Sequence, residues 1–156
     1  MHDGHHERAA ADGGWSTAVS ATLHCLTGCA IGEILGMVVA TALALGDTAS
    51  IAISIALAFI FGYGLTMRPL LAAVGTRRAI RLAFASDTLS ITTMEVVDNA
   101  FIVAVPGALA AGLADGLFWW SLLVSLGIAF VVTVPVNRWL IGRGRGHAVI
   151  HAYHHR

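Results

Sequence analysis

Residues 117–137, LFWWSLLVSLGIAFVVTVPVN, run without one charged side chain. At about 1.5 Å of rise per residue, a helix of this length covers about 30 Å, the hydrocarbon thickness of a bilayer. Residues 48–67 read the same way. Two further runs, about 17–45 and about 82–113, are longer and carry polar residues among the apolar ones. The expected fold is therefore all-α: an integral membrane bundle of four helices. Gly46-Asp47 and Ala114-Asp115-Gly116 look like short turns, which makes two antiparallel helical hairpins. The connection between them, Arg68-Pro69 through Arg81, looks longer and is basic.

Composition agrees with this reading. Of 156 residues, 57% are hydrophobic and 12% charged, against roughly 25% charged in soluble domains. Mean hydropathy is +0.79. A disordered chain, a disulfide-stapled module and an ordinary soluble domain are excluded. The net charge is zero, all the basic residues are arginine, and they are scattered, so nucleic acid is not an expected partner. The polar start, MHDGHHERAAADGGW, lacks the features of a removable signal peptide. The chain thus divides into a His-containing tail (1–16), a membrane domain (17–142) and a His-rich tail (143–156).

The arginines fix an expected orientation. Arg8 precedes the first span, Arg68, Arg77, Arg78 and Arg81 fall between the hairpins, and Arg138, Arg143, Arg145 and Arg156 follow the fourth span. The hairpin turns carry only Asp47 and Asp115. By the positive-inside rule both termini are cytoplasmic. Each half also reads as a long span with acids, an Asp turn, a clean span and an arginine, which suggests a parallel tandem repeat.

The first span contains HCLTGCAIGEILGM, residues 24–37. On a helical wheel with Cys25 at zero, Cys29 falls at about 40°, Glu33 at about 80° and Met37 at about 120°. Gly28, Gly32 and Gly36 form a ridge beside them, suited to close helix packing either within the protomer or between protomers. His24, Cys25, Cys29 and Met37, with Met94 of the third span, supply donors that suit Cu or Zn. Each thiol alone is equally at home as a small apolar core residue. Glu33 is costly in hydrocarbon unless it meets a partner or water.

The third span contains DTLSITTMEVVDN, residues 87–99. With Asp87 at zero, Met94 lies at about −20°, Asp98 at about 20°, Glu95 at about 80° and Asn99 at about 120°. No lysine or arginine lies within a span to pair with these acids. They must share protons, hold a cation or line water. Asp87 sits near enough to Arg78 and Arg81 for an ordinary ion pair. Helix rise puts Cys29 and Glu33 at nearly the depth of Glu95 and Asp98.

These two motifs, H-C-x-x-G-C-x-x-G-E-x-x-G (His24 to Gly36) and D-T-x-S-I-x-x-M-E-x-x-D-N (Asp87 to Asn99), resemble a family of small bacterial membrane proteins classed as a domain of unknown function. The resemblance covers roughly residues 17–142 and implies a four-helix protein of the bacterial inner membrane. It implies no activity.

Beyond the resemblance, His147, His151, His154 and His155 would share one face if the C-terminal tail were helical, as a capture site for a transition metal or as a plain solvated tail. The leading expectation is a non-enzymatic membrane protein that binds and moves a transition metal, Cu or Zn, with no organic cofactor. The alternatives are a proton or alkali-cation channel or carrier using Glu33, Glu95 and Asp98, or an accessory subunit. Four spans enclose an ion path poorly, so a homo-oligomer is expected.

Overall fold

A computed structural model describes residues 3–143, and side chains from residue 14 onward apart from several between 69 and 86. Among the described residues there are four helices and no strand: α1 (Asp3–Ala42), α2 (Asp47–Val74), α3 (Thr76–Ala104) and α4 (Gly116–Gly142). Each packs on its two neighbours in the cyclic order α1–α2–α3–α4, and α1 also meets α3 across the diagonal. Gly14–Ala42, Asp47–Arg68 and Gly116–Gly142 are each long and apolar enough to cross a membrane. The fold is a four-helix membrane bundle.

All four tryptophans lie at the ends of this bundle and are partly exposed: Trp15 and Trp139 at the arginine end, Trp119 and Trp120 at the Asp47/Asp115 end. Trp120 and Trp139 are separated by about 28 Å of α4, which matches a hydrocarbon core of about 30 Å. Indoles favour the headgroup level, so these residues mark both edges of the apolar slab. Arg138 lies over Trp15 at 4.9 Å and Arg143 over Trp139 at 4.1 Å.

Three connections differ from the sequence expectation. The basic loop from Arg68 to Arg81 is helical, because α2 continues to Val74 and α3 starts at Thr76. Only Gly75 separates them, at φ +79°, a conformation open to glycine. The third span ends at Ala104 rather than 113. Pro106 pushes Val105 into an extended conformation, and Gly107 at φ +82° turns the chain away. Residues 105–115 then form successive turns, pinned by Asp115 accepting from the Gly112 N–H at 2.7 Å. The helix α1 begins well before residue 17, inside what reads as a polar tail.

α1 closes with Leu45 N–H donating to Ala40 and Ala44 N–H to Thr41, which places Ala44 at φ +50°. Glycine usually fills this left-handed position. Ala44→Gly is expected to stabilise the hairpin by about 0.5–1 kcal/mol in detergent unfolding. A loss of stability would count against this account of the turn.

Candidate functional site

The glycine ridge positions the site. Gly28, Gly32 and Gly36 face Gly62, Ala58 and Ser54 of α2, a four-residue step on each helix running in opposite directions. A Cβ at Gly28 would lie 2.7 Å from the Gly62 Cα. The ridge therefore serves packing within the protomer, and it turns the neighbouring Cys25–Cys29–Glu33 stripe toward α3 and α4.

Glu33 from α1 and Glu95 and Asp98 from α3 come together in the interior, at 9%, 4% and 2% exposure. The Glu33 and Asp98 carboxyl groups are within hydrogen-bonding reach of one another, and the Ser125 hydroxyl of α4 reaches Asp98. Carboxyl groups this close in a low-dielectric interior need a proton or cation between them, since bare like charges repel strongly. Asn99 Nδ2 donates to the Glu95 carbonyl at 2.9 Å and to Glu95 Oε2 at 3.4 Å. The Cys29 thiol of α1 also reaches Glu95. One oxygen of each acid, Glu33 Oε1, Glu95 Oε1 and Asp98 Oδ1, is buried without a protein hydrogen-bond partner.

Glu33 and Asp98 also line a cavity of about 70 Å³, together with Ser54, Asn99, Ser121 and Asp47. That volume exceeds what one water needs. Asp47 is exposed at the start of α2, so the cavity leads from the acids toward the Asp47/Asp115 end. Along α4, Ser125 lies about 7 Å from Trp120 and about 21 Å from Trp139. The acids therefore sit about a quarter of the way in from that end.

Other candidate residues are distributed differently. Cys25 and Cys29 are both buried thiols in contact with each other, packed with Met94, Ile91, Ala58 and Ala129. Met37 packs against a separate apolar cluster and lines the cavity, away from the thiols. His24 is half-buried and engaged in an interaction of its own. Among the described residues, no three His, Cys, Asp or Glu side chains are arranged as a metal-holding group. His147, His151, His154 and His155 lie outside the described residues.

Asp87 is buried near the opposite end, beside a polar cluster that sequence reasoning missed. Asn137 Nδ2 donates to Thr22 Oγ1 at 2.7 Å, and Ser90 Oγ donates to Asn137 Oδ1. Thr22 in turn donates to the Ala18 carbonyl at 2.7 Å. The signal was present in α4: Ser121, Ser125, Ala129, Thr133 and Asn137 recur every fourth residue, and all five are buried. Each is mild enough alone to vanish inside an apolar span. Replacing Asn137 with Leu strips Ser90 and Thr22 of their shared partner. It is expected to cost about 1–2 kcal/mol in detergent unfolding, and an unchanged stability would show the cluster to be energetically idle.

No curated protein and no solved structure matches this chain. The family comparison does give a match, over residues 14–146, which takes in both acid-bearing helices and the whole of the interior described above. On that extent the chain belongs to the DUF4396 family, a domain of unknown function.

Proposed function

We propose that this membrane protein takes up a proton at Glu33, Glu95 and Asp98 and carries it across the bilayer. The observation that supports this reading is the convergence of three buried carboxyl groups from two helices, each with an unpartnered oxygen. Packing alone has no use for them, because a buried unsatisfied polar atom costs about 1–3 kcal/mol. The surrounding groups are oxygens, from the acids, Ser125, Asn99 and Ser121, and they suit a shared proton, since the acids are not arranged as a metal-holding group. In the proposed orientation the arginine end is cytoplasmic and the cavity opens outward from a bacterial inner membrane.

Dicyclohexylcarbodiimide, which attacks protonated carboxyl groups in apolar surroundings, tests the site directly. Mass spectrometry is expected to locate the adduct on Glu33, Glu95 or Asp98. Sodium chloride is expected to leave labelling unchanged, and protection by sodium would replace the proton with an alkali ion as cargo. Labelling confined to Asp47 or Asp115 would sink the proposal. For orientation, reporters fused at Asp47 and Asp115 are expected to read as periplasmic and one at Arg77 as cytoplasmic. The reverse pattern would turn the cavity inward.

A second reading, Cu or Zn as cargo, has one observation in its favour: Cys25 touches Cys29, and Cys29 reaches Glu95. Metal analysis of the purified protein separates the two. Stoichiometric Cu or Zn that disappears in Cys25→Ser/Cys29→Ser favours the soft-metal reading. A double variant that behaves as wild type in flux favours the carboxyl reading.

A further inference from the structure

The polar cluster at the arginine end surrounds a small cavity of about 10 Å³ lined by Thr66, Asp87, Ser90, Asn137 and Cys25. That is room for about one water, and a buried water requires two to four polar partners, which this lining supplies. Along α4, Asn137 lies only about 3 Å inside the level of Trp139, close to the headgroups. One turn deeper, about 6 Å further along α4, Thr133 is fully buried and its hydroxyl oxygen has no partner.

Beyond Thr133 the polar lining stops. Ile91, Met94, Ala58 and Ala129, all fully buried, pack with the two thiols into one apolar layer. Gly62 makes room for it, since a Cβ there would lie 2.7 Å from the Ile91 Cδ1. On the far side, about 12 Å along α3 from Ser90, lies Asp98. Polar groups thus follow one another on both sides of a single apolar layer, and α1, α3 and α4 supply both sets.

We infer that Thr66, Asp87, Ser90 and Asn137, the last held by Thr22, form a second station that holds one water and delivers protons to the three-carboxyl site, with the Ile91 layer as the barrier between them. The inference rests on the carboxyl reading for its destination. The step is a proton hop: the station's water receives a proton from the arginine-side solution and releases one inward when the layer hydrates. With the layer dry, the gap of about 7 Å along α3 from Ser90 to Glu95, the nearer acid, holds no water and stops transfer, as hydrophobic constrictions do in gated pores.

Proteoliposomes loaded with pyranine and driven by a potassium diffusion potential read proton influx directly. Ile91→Ser is expected to raise influx about tenfold or more over wild type by wetting the layer. Ala129→Ser places a hydroxyl in the same layer from α4 and tests the barrier independently should Ile91→Ser fail to give a monodisperse protein. Adding Asn137→Leu, or Ser90→Ala where the former does not fold, is expected to return the leak to the wild-type rate. Tight vesicles from both layer variants would overturn the inference. So would a leak that ignores both station variants. Glu95→Gln in the leaky background keeps the two proposals apart. A leak stopped at the station yet indifferent to Glu95 would leave the second station standing and remove the three-carboxyl site from the path.

Discussion

Glu95→Gln is expected to abolish proton flux in proteoliposomes while leaving helix content and gel-filtration behaviour unchanged. Glutamine matches glutamate in volume, and its amide can still meet Asn99 and Cys29, the two side chains that reach Glu95 now. What disappears is the capacity to take up and release a proton or to neutralise a cation. A positioned proton-transfer group contributes roughly 100-fold to 10,000-fold, so the flux should fall at least about 100-fold. Wild-type flux from a well-folded Glu95→Gln protein would move the pathway away from the acids. Glu95→Asp offers the complementary measurement: it keeps the charge but withdraws it by one methylene, and partial flux is expected.

The other large effect concerns assembly. Gly32→Leu is expected to split the α1–α2 hairpin. A Cβ at Gly32 would lie 2.5 Å from the Ala58 Cα and 2.8 Å from the Leu57 carbonyl carbon. These are backbone atoms, so no rotamer change relieves the clash and the helices must part. Overpacking with flexible neighbours costs about 1–3 kcal/mol, and this site should exceed that range. Thermal unfolding in detergent checks the effect, with Gly64→Ala as a control. Nothing lies within 4 Å of a Cβ at Gly64, and its replacement by the better helix former should leave stability unchanged or raise it by up to about 1 kcal/mol. Equal behaviour of the two variants would show that the ridge does not set the helix separation.

The membrane character, the helix count and the meeting of Glu33 with Glu95 and Asp98 were legible because each follows from a strong local signal. Long uncharged runs have one stable form in a bilayer, and a charge inside a span has few places to go. Helix rise then put the acids of α1 and α3 at one depth. The match over residues 14–146 is close to the 17–142 expected from the two motifs. Helix ends were less legible. Arg68 through Arg81 look like a loop because they are polar, but polarity outside the apolar slab places no restriction on helix, and only Gly75 breaks it. The apolar run to 113 suggests a longer third span, and Pro106-Gly107 ends it at Ala104. The stripe on α4 escaped because a few serine, threonine and asparagine residues leave the hydropathy of a span dominated by large apolar residues high. Which residues meet across helices is fixed by packing, and Asn137 with Thr22 is a pairing that no single helix announces.

The polarity of α3 also constrains how the chain is made. Among the described residues, α3 supplies no stretch long and apolar enough to cross a membrane by itself. Asp87, Glu95 and Asp98 alone would each oppose membrane integration by about 2.5–3.5 kcal/mol near the centre of an isolated helix. During synthesis α1 and α2 can leave the translocon as a finished hairpin, but α3 emerges without the Ser125 and Asn137 groups that later receive its polar side chains. It must wait for α4, and the pair must integrate together. A chain truncated within 105–115 should leave its C-terminus on the same side as the arginine end, and extending it through Gly142 should carry that same segment across.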